Sequence, residues 1–448
     1  MVDDNLIGHG IFDYLVVFGL ILYGIYAGIT KPSRILYIFP ACLSFFFFIE
    51  VGPRLTADKL VPFLFILSVI FSKGIGYFKI NNSVARHWSF KITLLISISF
   101  LIGLIYQNFY STVLSTPFLK TRLYIQVIGY FNIVLILLIA KIECSKPGGK
   151  RKLLVSFVVT TTILCLYGGY QYFAHLNGWA YRGIVYSDAK TGLGSFSDAE
   201  NIIFRVNSFA NEPKRLTYFL VIGILILFNY RDRFIKKIGI LLFYGILALH
   251  LVILWLTYST SIYISLAIFL GIISIYATLV SANKRLTTRL IGVSIVLGVG
   301  FYYQEAYVSS LYEIRVKKQF DTEEIRAEVR GQEFIANQPL KFIVGIGPGN
   351  YNFALAYYYP YGAGISVEGF LIPFNSAMMT YVYDFGIIGF YLLMIPLFRI
   401  IANRKRSNSP FAVYIVFLYC TSITLNPSAS LFYFIGAFEG QDLLGNES

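Results

Sequence analysis

Apolar residues run along this chain in long blocks, not at the two-residue period of a half-buried strand or the 3.6-residue period of a surface helix. Blocks approaching the roughly 20 residues that a bilayer-crossing helix needs recur at 11–29, 34–50, 57–72, 92–107, 123–140, 153–173, 214–229, 238–256, 262–281, 290–303, 371–398 and 410–437. The pattern predicts an all-α polytopic membrane protein of about 12 (11–13) transmembrane helices. Asn426-Pro427-Ser428 interrupts the last block and would divide it, adding a short thirteenth crossing. The polar segments between blocks are tight except at about 174–213 and about 304–370. In the second of these, Asp321-Thr322-Glu323-Glu324 has the form of a capping box and predicts a charged helix over 321–337. No linker or short-period repeat divides the chain, so residues 1–448 read as a single membrane domain.

Composition agrees with lipid as the solvent. Hydrophobic residues make up 57% of the 448 positions and charged ones 13%, more apolar surface than a soluble core of this size can hide. A net charge of +14 would suit a nucleic-acid binder. Its distribution argues against one. More than half of the 37 Lys and Arg fall in alternate short loops near 31–34, 73–91, 141–152, 230–237, 282–289 and 399–406. That is the positive-inside bias of a membrane protein. These loops are expected in the cytoplasm and the two long ones outside, together with Asp3 and Asp4 and, for twelve spans, the C-terminus. The first block has no preceding basic residue and no small-residue cleavage site, and is expected to be an uncleaved helix. Cys42, Cys144, Cys165 and Cys420 lie in or beside apolar blocks without metal-site or disulfide spacing, and read as packing residues. No Asp-x-Asp or His cluster on the external side calls for a metal, and no cofactor is expected.

Three polar segments carry chemistry. In 204–215, Glu212 precedes Pro213, which suits the first position of a helix. That helix would turn its unpaired N–H groups toward the membrane surface, and Arg205, Lys214 and Arg215 would complete an anion site there. Alternatively, Lys214 and Arg215 simply snorkel from a capped helix. In 339–351, Gly345, Gly347 and Gly349 alternate before Asn350 and Tyr351. The spacing is not that of a dinucleotide site; tight turns or a close backbone approach to a ligand both fit. In 373–389, Asn375 opens a spanning block and Asp384 lies nine residues, about 13 Å, further along it. An acid at that depth is either functional or the partner of another helix. The run Tyr357-Tyr358-Tyr359-Pro360-Tyr361 suits stacking on sugar faces or an interfacial tyrosine belt.

The order of these segments resembles the bacterial O-antigen ligase/polymerase superfamily. Arg-x-x-Ser-x-x-x-Glu-Pro at 205–213 is followed by Thr257-Tyr258-Ser259, then by Pro339-Leu340 and Gly345-Ile346-Gly347-Pro348-Gly349-Asn350-Tyr351, then by Asn375-Ser376 and Asp384-Phe385-Gly386. The likeness covers roughly 200–395; the N-terminal blocks match only in hydropathy. It implies a GT-C-like, metal-independent glycosyltransferase of the bacterial cytoplasmic (inner) membrane, with its active site facing the periplasm or outside. Its partners would be undecaprenyl-pyrophosphate-linked oligosaccharides, membrane lipid and a chain-length-regulating co-polymerase, with no nucleic acid. Arg205 and one of Arg326 or Arg330 would grip the pyrophosphate, and Glu212 would act as base. Lys214, Arg215, Gly345, Gly347, Asn350, Asn375 and Tyr359 would contact substrate. Two departures matter. Ligases carry His-Asn where this chain has Phe374-Asn375, and Thr257-Tyr258-Ser259-Thr260 lacks the usual Arg. Both favour a Wzy-type polymerase of lipid-linked repeat units over a ligase. A lipid-linked-sugar flippase, the other alternative, would need charges near the midplane and symmetric halves.

Overall fold

The computed structural model describes residues 6–7, 11–45, 48–49, 55–78, 84–110, 117–182, 204–210, 212–276, 337–351, 376–402 and 409–439. The expected crossing at 290–303 and all but the last residue of the expected helix at 321–337 lie outside these residues. What is described is a helical bundle. Its helices are α1 (Ile11–Ile29), α2 (Ile35–Ser44), α3 (Ala57–Lys73), α4 (Val84–Tyr110), α5 (Pro117–Cys144), α6 (Gly149–Asn177) and α7 (Pro213–Asn229). They continue with α8 (Arg231–Ile238), α9 (Ile240–Leu256), α10 (Thr260–Tyr276), α11 (Pro339–Val344), α12 (Ala377–Ala402), α13 (Pro410–Thr424) and α14 (Ser428–Glu439). Four two-residue strands add a parallel pair, β1 (Leu6–Ile7) with β4 (Tyr181–Arg182), and an antiparallel pair, β2 (Phe48–Ile49) with β3 (Leu55–Thr56).

Among the described residues, five helices, within α1, α4, α5, α6 and α12, are long and apolar enough to cross a membrane. The bundle exterior agrees. On α1, Ile11, Leu15, Phe18, Leu22, Tyr26 and Ile29 form one exposed stripe, a surface that water does not tolerate on this scale but lipid does. The opposite face of α1 carries Gly24 and Gly28, which let α3 approach. A Cβ on Gly28 would lie 2.7 Å from that of Ser68, and one on Gly24 3.0 Å from a methyl of Val61. Small residues one turn apart are how helices pack when lipid removes the hydrophobic drive between them. Membrane embedding is therefore a property of the observed helices and their exterior.

One apolar block is corrected by the structure, and another divides where its sequence suggests. The block at 34–50 is not one spanning helix. α2 has 10 residues, about 15 Å; it ends at an extended Phe45, and Phe48–Ile49 pairs as a strand with Leu55–Thr56. Pro40 inside α2 removes a ladder hydrogen bond, and the aromatic run that follows prefers extended backbone. The block at 410–437 divides at the anticipated place, into α13 and α14, with Leu425 extended between them. α14 has 12 residues, about 18 Å, and its side chains from Ser430 to Glu439 are all buried. A broken segment at membrane depth is tolerable only when protein surrounds it. α5 does much of this, and Gly436 fits against the Leu137 carbonyl and Ala140.

The two ends of the bundle differ in chemistry. At one end, Lys152 donates to Ser33 Oγ at 3.2 Å, Lys146 to the Tyr77 hydroxyl at 2.8 Å, and Lys150 lies over the Phe411 ring. This basic end gathers the α1–α2 and α5–α6 turns, the segment after α3 and the start of α13. The other end gathers the segments singled out in the sequence.

Candidate functional site

At the second end, residues 204–210 are pinned to α6 by one buried side chain. Gln171 Oε1 accepts from the backbone N–H of Asn207 at 3.1 Å and of Ser208 at 2.9 Å, and its Nε2 donates to Asn207 Oδ1 at 2.7 Å. Ser208 Oγ donates to the Leu164 carbonyl at 2.8 Å, and Phe209 stacks on Tyr167 with centroids 4.1 Å apart. Gly168 provides the room: a Cβ there would meet Val206 at 2.9 Å. The other edge of the segment is tied to the α9–α10 turn. Val206 N–H donates to the Leu256 carbonyl at 3.1 Å, and Arg205 Nε to the Thr257 carbonyl at 3.0 Å.

Ser208 (φ 53) and Tyr258 (φ 45) are the described non-glycine residues with positive φ. They fall in the two segments that Arg205 joins. Left-handed backbone at a non-glycine position costs on the order of 1–3 kcal/mol and persists where surrounding contacts impose it. Here Gln171 and the short α9–α10 turn impose it. Tyr258 carries its hydroxyl above the usual range, because its surroundings are partly desolvated and Tyr172 is close.

Helix α7 starts beside this segment. Glu212 is its N-cap by backbone conformation (φ −147, ψ 145), with Pro213 at the first position. The Glu212 carboxylate makes no capping bond; it pairs with Lys214 Nζ at 2.8 Å. Arg215 follows on the same first turn, half-buried. The cations expected near a helix N-terminus are thus present, with a carboxylate beside one of them.

The glycine segment is spent on packing. Gly345, Gly347 and Gly349 have φ of 83, 85 and 74. A Cβ on Gly347 would sit 2.3 Å from Gly103 Cα in α4, and one on Gly345 2.6 Å from Gly386 N in α12. α12 itself kinks at Gly386 (φ 69), where α11 ends against it. Asn350 is fully buried and its Nδ2 donates to the carbonyls of Gly103 and Ile346 at 2.9 and 3.0 Å. Asp384, also fully buried, accepts from Gly349 N–H at 3.1 Å and from the Tyr130 hydroxyl of α5 at 2.5 Å. Of the two readings of these residues, turns and helix partners describe their geometry. Arg326, Arg330, Tyr359 and Asn375 lie outside the described residues.

A cavity of about 170 Å³ that no sequence motif marks lies beside Tyr130. It lies where α3, α12 and α14 begin, with Asp58 and Lys59, Thr380 and Tyr381, and Ser428 and Ala429 on its wall. α5 completes it with Gln126, Gly129 and Asn132. The signal was present: Gln126, Asn132 and Gln171 are polar residues inside apolar blocks, which lipid disfavours unless they face protein or water.

Neither a family model nor a curated protein matches this chain. Among the described residues, no group of three or more His, Cys, Asp or Glu side chains could hold a metal ion. The four cysteines are all buried and unpaired.

Proposed function

We propose that this protein is a membrane glycosyltransferase that polymerises undecaprenyl-pyrophosphate-linked oligosaccharide repeat units on the external face of a bacterial cytoplasmic membrane. The observation that carries the reading is the junction of two strained segments far apart in sequence, 204–210 and 257–259, by Arg205. Stored strain next to a cationic helix start is the arrangement expected where a site is held ready for charge. In this reading the shorter helices also cross, giving about twelve crossings in a GT-C-like arrangement, and the basic end faces the cytoplasm.

In the reaction, a hydroxyl oxygen of one lipid-linked repeat bonds to the anomeric carbon of the growing chain. The bond from that carbon to the pyrophosphate oxygen breaks, and its electron pair leaves with undecaprenyl pyrophosphate. Arg205, Arg215 and the N-terminus of α7 would stabilise the charge that gathers on the leaving group, with Arg326 or Arg330 as a further contact. Glu212 would accept the proton of the attacking hydroxyl as Lys214 holds it in place. Deleting the protein and sizing the glycan on the carrier lipid tests the assignment. A polymerase predicts single repeat units, still passed to any final anchor. Long chains accumulating on the carrier would identify a ligase instead, and unchanged polymer would overturn both.

A further inference from the structure

We propose that the cavity between α3, α5, α12 and α14 is a subsite for one sugar ring, held chiefly by Asp58, Gln126, Asn132 and Asn426 against Tyr351 and Tyr381. The inference rests on the transferase reading and names a place within it.

Size and lining both point to this ligand. An engineered apolar cavity of about 150 Å³ takes up benzene, and this cavity, at about 170 Å³, has room for one ring and not for a chain of them. Its chemistry is the reverse of that apolar case. It is lined by a carboxylate, three side-chain amides and tyrosine rings, with Lys59 as the cation in the lining. A phosphate would meet Asp58 there, and a hydrocarbon would strand the amides unpaired. A neutral ring bearing hydroxyls suits all of them. Neighbouring hydroxyls can donate to one carboxylate, amides supply both donors and acceptors, and aromatic faces pack on the C–H face of the ring.

The local geometry keeps these groups in position. Asp58 makes no hydrogen bond or ion pair among the described residues, although it stands on the first turn of α3. Asn132 anchors that turn by donating from Nδ2 to the Lys59 carbonyl at 3.1 Å. Tyr351 and Tyr381 are each 2% exposed, so their rings cannot swing away.

Gly129 makes the proposal testable. It lines the cavity from α5, and a Cβ added there meets nothing within 4 Å. Gly129→Leu and Gly129→Phe therefore enter the cavity without a clash at Cβ, and a helix interior favours either residue over glycine. The full chain in nanodiscs is probed by saturation-transfer NMR with methyl glycosides of glucose, galactose, N-acetylglucosamine and N-acetylgalactosamine. At least one should be saturated by the wild type, and at least tenfold less by Gly129→Leu and by Asp58→Asn, with both variants still monodisperse by size exclusion. If no glycoside is saturated, or if Gly129→Leu leaves saturation unchanged, the subsite is refuted. Polymer ladders from cells carrying the same variants give the independent reading of the transferase. Loss of the ladder with retained saturation in Gly129→Leu also overturns the subsite. Saturation lost in Gly129→Leu upholds it, even where deleting the protein leaves polymer intact and the transferase reading falls.

Discussion

Arg205 Nε donates to the backbone carbonyl of Thr257 at 3.0 Å, tying a segment that precedes α7 to the turn between α9 and α10. A guanidinium held through Nε keeps a fixed plane, so its direction is set by backbone and not by solvent. The partner is a carbonyl, which a lysine can also reach, but only as a point charge without the fork.

Arg205→Lys should therefore fold normally and lose activity by on the order of 100-fold, the usual effect of removing one oriented donor from a developing charge. Complementing a deletion strain and comparing polymer ladders at equal membrane abundance reads the outcome. A ladder of wild-type length and intensity from Arg205→Lys would exclude the guanidinium from the site.

The Gln171 latch makes a prediction about stability. Gln171→Leu deprives the N–H groups of Asn207 and Ser208 of their acceptor, at about 1–3 kcal/mol for each one left buried and unpaired. Gln171→Glu keeps that acceptor and should cost less, although Asn207 Oδ1 then loses its donor. Thermal unfolding in detergent should rank wild type above Gln171→Glu above Gln171→Leu. Equal midpoints would show that the segment does not depend on the latch.

Two glycines of the same chain should respond oppositely to alanine. At Gly347 the added methyl would lie 2.3 Å from Gly103 Cα, on backbone with φ of 85. The turn at Gly347 packs directly on the backbone of α4 and cannot yield without displacing it, so Gly347→Ala should abolish membrane accumulation of folded protein. At Gly19 in α1 nothing lies within 4 Å of the new methyl, and Gly19→Ala should stabilise by up to about 1 kcal/mol. Fluorescence-detected size exclusion separates the two; a monodisperse Gly347→Ala peak of normal height contradicts the packing.

Orientation can be read with cysteine labelling, since the four native thiols are buried. Asn177→Cys, exposed at the end of α6, should react with an impermeant maleimide in intact cells. Lys237→Cys, exposed on α8, should react only after permeabilisation. The reverse pattern would turn the protein over and remove the candidate site from the external face.

The sequence by itself determined the solvent. Long apolar blocks and short basic loops are one-dimensional properties, and they are enough to specify membrane helices because lipid leaves a segment few alternatives to helix. It also marked the break at Asn426-Pro427, since proline cannot continue a hydrogen-bond ladder. It did not decide which polar residues would meet. Gly345 fits a tight turn or a ligand approach equally well in sequence, whereas in the structure the backbone of Gly386 in α12 fills the space a Cβ there would need. Asp384 read as either site or partner until Tyr130 and Gly349 were found on its two oxygens. Gln171, Asp58 and Asn132 carried no motif at all. Their roles come from neighbours on other helices, brought close by packing of small residues whose effect depends on what lies opposite. Hydropathy is summed along one segment, whereas a cavity exists only between several.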